Sequence, residues 1–352
     1  MTPVILLTGF LGSGKTTLLQ RLLTDPSMKG AAVLINEFGE VGLDHALLDR
    51  IDDTVVVLKS GCICCTVRGE VADALSNLHS LRARGEIAFD RVVIETTGLA
   101  DPYPVLQTLT AHPVLRSHFT NGGVLTTVDA VNAVLQVEHR SEAVRQIAAA
   151  DRIVLTKTDL TEPEMEQALR RRLARINPGA LILTTEASVD VILEGFGSTA
   201  FANTLAGEGG GDPLCGPTCD HAEHQHTHHH DHSHNRHHAH HYDDALGVTS
   251  FSLVIEQEID WTMFGTWLTL LLHKHGERIF RVKGILAIEG EDSPIAIHGV
   301  QHLVHAPTHM ANWPKGPRQS RIVFILEGLA PDQIRRSFTA FMGISEARTA
   351  AE

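Results

Sequence analysis

Gly9-Phe10-Leu11-Gly12-Ser13-Gly14-Lys15-Thr16-Thr17 carries the spacing G-x-x-x-x-G-K-T between Gly9 and Thr16. Gly9, Gly12 and Gly14 let the backbone curl until its N–H groups line a concave anion site, and the N-terminus of a following helix adds to it. Lys15 has the reach to bond the β- and γ-phosphates, and the Thr16 hydroxyl is placed to ligate Mg²⁺. Ser13 and Thr17 complete the loop. An apolar run, Val4 to Thr8, precedes it, and Leu18, Leu19, Leu22 and Leu23 follow at helical spacing. That strand–turn–helix context separates the pattern from a chance glycine turn and implies a nucleoside triphosphate site.

Two further tracts supply carboxylates. Asn36 to Asp44 holds Glu37, Glu40 and Asp44 with two glycines directly after a strand-like run. Carboxylates at the ligand edge of a sheet can hold Mg²⁺ directly or through water. A solvated acidic turn is the plain alternative, and the neighbouring phosphate loop favours the metal role. Val92-Val93-Ile94-Glu95-Thr96-Thr97-Gly98 ends an apolar run on an acid. Glu95 there can polarise Mg²⁺ or its water, and Gly98 can bring a backbone N–H to the γ-phosphate. Thr156-Lys157-Thr158-Asp159 closes another strand with K-x-D. Asp159 can accept from the N1–H and amine of guanine while the Lys157 stem covers the base, which favours GTP over ATP.

Cys62, Cys64 and Cys65 crowd three of the five cysteines into four positions after Gly61. Such spacing suits no disulfide framework, and a redox role is the weaker reading of it. Three thiolates on one turn can face a soft cation, with Zn²⁺ preferring tetrahedral sulfur and nitrogen ligands. A fourth ligand could come from the acidic tract, a histidine, water or a recipient protein. Of 23 histidines, 12 lie between His221 and His241, interleaved with Asp and flanked by Cys215 and Cys219. Residues 207–245 have too little apolar surface for a core and read as a disordered tract that captures Zn²⁺, Ni²⁺ or Co²⁺.

These residues need a frame, and the pattern provides one. Strand-like runs at 3–8, 31–35, 54–59, 90–95, 122–128, 152–156 and 180–184 alternate with helical patterns near 15–24, 67–82, 102–111, 141–150 and 162–176. That order predicts an α/β fold, a P-loop parallel sheet with helices on both faces. After residue 247 come an alternating strand through Phe251 and Ile255, a helix bearing Trp261, Phe264 and Leu268, strands near 278–288, 295–305 and 319–327, and a helix near 331–342. These predict a smaller C-terminal α+β domain. The expected division is 1–190, GTPase domain; 191–246, linker with the histidine-rich insert; and 247–345, C-terminal domain. His273, His275, His298, His302, His305 and His309 read as exposed or hydrogen-bonded side chains rather than ligands.

A net charge of -13 over 352 residues argues against unassisted binding to nucleic acid or anionic membrane. No apolar stretch has the length of a membrane span, and no secretory leader is legible, so a cytoplasmic location is expected.

Together these residues resemble the CobW/YjiA-like GTPases, metal chaperones related to the nickel-insertion GTPases of urease and hydrogenase maturation. The matching stretches are GFLGSGKTT at Gly9–Thr17, NEFGEVGLD at Asn36–Asp44, GCICC at Gly61–Cys65, ETTGLADP at Glu95–Pro102 and TKTD at Thr156–Asp159. Arg281 to Gly284 and Gly299 to Gln301 look like landmarks of the same family. One departure is Thr156, where Asn is commoner, which should weaken a turn-bracing contact. The resemblance implies GTP hydrolysis coupled to transfer of metal, most often Zn²⁺, from Cys62, Cys64 and Cys65 to a client apo-metalloprotein. Cobalt or nickel delivery and a non-catalytic metal buffer are the rival functions, and a homo-oligomer is compatible with all of them.

Overall fold

A computed structural model describes residues 1–35, 56–59, 67–193, 247–304, 306–314 and 317–344. Seven strands, β1 (Thr2–Gly9), β2 (Ala31–Ile35), β3 (Val56–Lys59), β4 (Arg91–Glu95), β5 (Phe119–Asp129), β6 (Arg152–Thr156) and β7 (Leu181–Thr184), form one sheet. Their order is β3-β2-β4-β1-β5-β6-β7 and every pairing is parallel. Parallel strands covered on both faces must be apolar at successive positions, as β1 is. Val4 and Leu6 join one core, while Ile5 and Leu7 join the other.

Leu18, Leu19 and Leu22 of α1 (Lys15–Leu23) and Val189 and Ile192 of α8 (Val189–Leu193) cover the second face. The first face carries α2 (Val67–Ala83), α3 (Tyr103–Ala111), α4 (Pro113–His118), α5 (Ala133–His139), α6 (Ser141–Ala149) and α7 (Pro163–Ile176). Leu75 and Leu78 of α2 are fully buried there, as their helical spacing requires.

The C-terminal residues build an antiparallel sheet from β8 (Val248–Ile255), β9 (Ile279–Leu286), β10 (Ile295–Val300), β11 (Leu303–Val304), β12 (Thr308–His309) and β13 (Ser320–Glu327). Its order is β11-β10-β9-β13-β8, with β12 on β10. One face packs on α9 (Trp261–His275) and α10 (Pro331–Met342), where Phe264, Trp267 and Phe338 meet Leu253 and Phe324. Asp260 caps α9 by accepting from the Met263 N–H at 2.7 Å.

The other face meets the parallel-sheet domain. Strand alternation puts Arg281 and Lys283 on the same side of β9. Both cations bond the buried Asp151 carboxylate, and Arg281 also donates to the Ala149 carbonyl. Phe280, Val300 and Ile325 enter the first domain's core, and Gln107 Nε2 donates to Gln301 Oε1 at 3.0 Å. The two stretches read as C-terminal landmarks are therefore seams between the domains.

Three features depart from expectation. β5 starts at Phe119 rather than 122, because Gly122 forms a bulge where the β1 register shifts between Val4 and Ile5. The run 295–305 is broken by Gln301, whose φ of 51° turns the chain from β10 into β11. The short helices α4, α5 and α8 had no counterpart in the sequence pattern. Among the described residues no helix is long and apolar enough to cross a membrane.

Candidate functional site

The carboxyl ends of β1, β4, β5 and β6 lie side by side, and the glycine-rich loop rises from the first of them. Such an edge is where open parallel sheets bind ligands. Gly9 permits the loop to leave β1, because a Cβ there would stand 2.3 Å from Thr127 Oγ1 and 2.5 Å from its carbonyl oxygen. Ser13 is buried and its Oγ lies 2.7 Å from Thr127 Oγ1, fixing the loop to β5. Thr156 Oγ1 donates to the Ser13 carbonyl at 2.9 Å, fixing it to β6. The threonine expected to weaken a turn-bracing contact thus makes one of its own, directly to the phosphate-type loop.

Gly12 and Gly14 sit at positive φ, 70° and 83°, with Gly14 at the N-cap of α1. Lys15 opens that helix and its Nζ donates to the carbonyls of Gly9 at 3.0 Å and Phe10 at 3.2 Å. Thr17 is exposed on the first turn. Thr16 Oγ1 donates to Glu95 Oε1 at 2.8 Å, joining the loop to the end of β4. Glu95 is 5% exposed, so the hydroxyl–carboxylate pair is a short oxygen cluster under the loop. Hard cations take such donors, and the pair fits Mg²⁺.

Gly98 follows Glu95 by three residues and abuts the loop, since a Cβ there would be 2.7 Å from Leu11 Cα and N. Lys157 adopts a left-handed φ of 57° and its Nζ donates to Asp129 Oδ2 at 2.7 Å. Asp159 is exposed on the turn that follows. Burial alone would raise the Asp129 carboxyl, yet hydrogen bonds from Lys157, Asn132 and the Val131 N–H hold it below the ordinary range.

The residues expected at the nucleotide site therefore gather along one edge, while Glu37, Glu40, Asp44, Cys62, Cys64 and Cys65 lie outside the described residues, as does the histidine-rich tract. The last described residues ahead of the acidic and cysteine tracts are Ile35 and Lys59. They are register partners of each other, and Ile35 is also a partner of Glu95. Ile35 thus lies one strand, and Lys59 two strands, from Glu95.

Two family models match the chain: the CobW/HypB/UreG nucleotide-binding domain over residues 3–184 and the cobalamin synthesis protein CobW C-terminal domain over 248–342. The zinc chaperone YjiA of Escherichia coli strain K12 is 35% identical over 338 residues, 95% of this chain and 97% of its own. The chain belongs to the CobW family. A crystal structure of Zn(II)-bound YjiA GTPase from E. coli matches this CobW-family fold with a TM-score of 0.69 and 31% identity, over 98% of this chain and 100% of that one. Zinc-regulated GTPase metalloprotein activator 1 of Schizosaccharomyces pombe is 37% identical over 209 residues, 57% of this chain and 50% of its own.

Sequence reasoning missed several residues of this CobW-family edge. Asp129 closes the apolar β5 as Glu95 closes β4, which was a usable signal. Thr127 carried none. Neither did Gln146, buried on α6, whose Nε2 donates to the carbonyls of Gly98 at 3.1 Å and Ala100 at 3.0 Å. Of the scattered C-terminal histidines, His302 has its Nδ1 2.9 Å from the Leu272 carbonyl. Among the described residues no group of three or more His, Cys, Asp or Glu is gathered for a metal.

Proposed function

We propose that this chain hydrolyses GTP and uses the nucleotide state to govern delivery of a zinc ion, held by Cys62, Cys64 and Cys65, to a client apo-metalloprotein. The observation that carries the reading is the Thr16–Glu95 bond beneath the glycine-rich loop, at the edge where the chain enters both the acidic and the cysteine tracts. Its likeness to YjiA, a zinc chaperone, supports zinc as cargo and transfer as the outcome.

The roles follow from position. Loop N–H groups and the N-terminus of α1 bind phosphate oxygens, and Lys15 supplies a point charge at the β- and γ-phosphates. Thr16 and Glu95, with Glu37, Glu40 and Asp44 as further oxygen donors, would hold Mg²⁺, which when bound neutralises charge developing on the transferred phosphoryl group. Gly98 offers its N–H to the γ-phosphate side of the loop and so reports hydrolysis. Lys157 covers the base, while Asp159 accepts from the guanine edge. Asp159→Asn should weaken GTP binding and favour xanthosine triphosphate, because the amide can donate to the extra carbonyl; competition between the two nucleotides measures it. Unchanged preference for guanine removes Asp159 from the base pocket.

Loss of the γ-phosphate relaxes contacts beside Glu95, and the cysteine tract starts two strands away. Nucleotide state can shift metal affinity only through a difference between two states. The test is therefore zinc titration of the full chain with a non-hydrolysable GTP analogue, with GDP and without nucleotide. At least about a fivefold spread in Kd is expected, the low end of ordinary coupling energies. Cys64→Ala should abolish the tight site and leave GTP affinity intact. Equal zinc affinity in all three states defeats the switch, and preferential transfer of cobalt or nickel to an apo-client would reassign the cargo.

A further inference from the structure

We infer that Arg145 and Gln146 are positioning residues that clasp the loop Gly98–Asp101, and that Arg145 makes this loop answer to the C-terminal domain. The inference rests on the GTPase reading and adds to it a route of control. Gln146 holds the Gly98 and Ala100 carbonyls from α6, inside the core. Arg145, its neighbour, donates from Nη1 to Asp101 Oδ2 at 3.1 Å. Asp101 in turn accepts from the Tyr103 N–H through Oδ1 at 3.0 Å, so its carboxylate fixes the entry to α3. Three of the four residues after Thr97 are thereby tied to two side chains of one helix.

Arg145 has a second hand. Its Nη2 lies 3.8 Å from Glu327 Oε2, at the end of β13 in the C-terminal sheet, and its guanidinium carbon is 5.6 Å from the centre of the Phe280 ring. Phe280 also stacks on Tyr103, with ring centres 5.7 Å apart. Movement of β13 or β9 relative to α6 must alter the charge balance on Arg145, and with it the hold on Asp101. The reverse is equally required, because coupling between two sites is reciprocal. A client or metal that shifts the C-terminal sheet would therefore change how firmly Gly98 is presented to the γ-phosphate side of the loop.

Loss of the clasp should lower turnover without weakening nucleotide binding, since Lys15, Thr16 and Lys157 keep their own contacts. In Arg145→Ala, kcat for GTP is expected to fall about three- to tenfold with KM within twofold; in Glu327→Gln the fall is smaller. The double variant should be no slower than Arg145→Ala alone, because Glu327 acts only through Arg145. Amide hydrogen exchange over 98–103 should quicken in both single variants, including the one altered in the other domain. If the wild type turns over no GTP, the GTPase reading fails and the exchange rates alone decide the clasp. Unaltered exchange at 98–103 in Glu327→Gln, or additive losses in the double variant, overturns it. Should Arg145→Ala not fold, Glu327→Gln carries the test.

Discussion

Lys15→Ala is expected to abolish GTP turnover and to leave the fold standing. Lys15 begins α1 at the mouth of the loop, half-buried, and its Nζ donates to the carbonyls of Gly9 and Phe10. Those charge-assisted contacts are worth about 1.5–3 kcal/mol each, and water can take their place at both carbonyls. What cannot be replaced is a positive charge within reach of the β- and γ-phosphates. Removing one preorganised electrostatic donor costs about 10²–10³ in rate, and an ammonium facing a triphosphate should lie at the upper end or beyond. Phosphate release under single-turnover conditions measures the loss, and thermal melting checks the fold. Residual turnover above about a tenth of wild type would place the reaction elsewhere, since no group of this loop could stand in for that charge. Lys15→Arg should not restore the rate, because a planar fork fills space meant for a point charge.

The parts of this site that were legible share one property: their chemistry is local in sequence. Gly9 to Thr17 is a continuous loop, Glu95 closes an apolar strand, and Lys157 and Asp159 follow β6 within three residues. Apolar runs read as strands because a parallel sheet buries both faces of each one, and β1, β2, β4 and β6 all conform. What escaped is set by tertiary approach. Gln146 reaches Gly98 across 48 residues of chain, and Lys283 reaches Asp151 across 132. No spacing announces either. Thr156 was read by analogy with Asn and its hydroxyl proved to brace the loop through Ser13, a contact that depends on how close β6 lies to Gly14. Gln301 turned the chain without a glycine or proline to mark it, so one expected strand became two. Arg281 and Lys283 stood out as a landmark, but their partner could only be found once the two domains were seen together.

That partner carries the second large effect, this time on stability. Asp151 takes Arg281 and Lys283 at once, and also accepts from the Val124 N–H at 2.9 Å. The two cations have side chains only 8% and 6% exposed. Asp151→Asn removes the carboxylate that both cations bond, and breaking a buried ion cluster in this way costs about 3–5 kcal/mol. At roughly 2–4 °C per kcal/mol for chains of a few hundred residues, the melting temperature should drop by about 10 °C. Replacing all three residues together by apolar ones of similar size should recover most of it, because the expense lies in unpaired buried charge.

The pH dependence separates this account from simple loss of packing. Burial alone would raise the Asp151 carboxyl, but Arg281 and Lys283 hold it well below the usual carboxylate range. Its contribution is thus complete above the unfolded value near pH ~4 and disappears as pH falls through the folded one. Wild type should lose this stability in acid, and Asp151→Asn should have none of it to lose. Burial and the neighbouring Arg281 push the Lys283 ammonium down to about 8 against the pull of Asp151. Without that pull the folded value drops further, while the unfolded chain still binds its proton up to about pH 10.4. Across that window the unfolded state holds more protons, so stability rises with pH. Asp151→Asn should therefore begin to regain stability below about pH 8, where wild-type Lys283 still holds its proton. The two should rise alike from about pH 9 to 10, and Lys283→Met in the same background should flatten the curve. Denaturant unfolding of the three proteins from about pH 6 to 10 measures the slopes; curves parallel below about pH 8 as well would mean that Lys283 holds its proton equally well without Asp151 and that the two domains are held together by something other than this cluster.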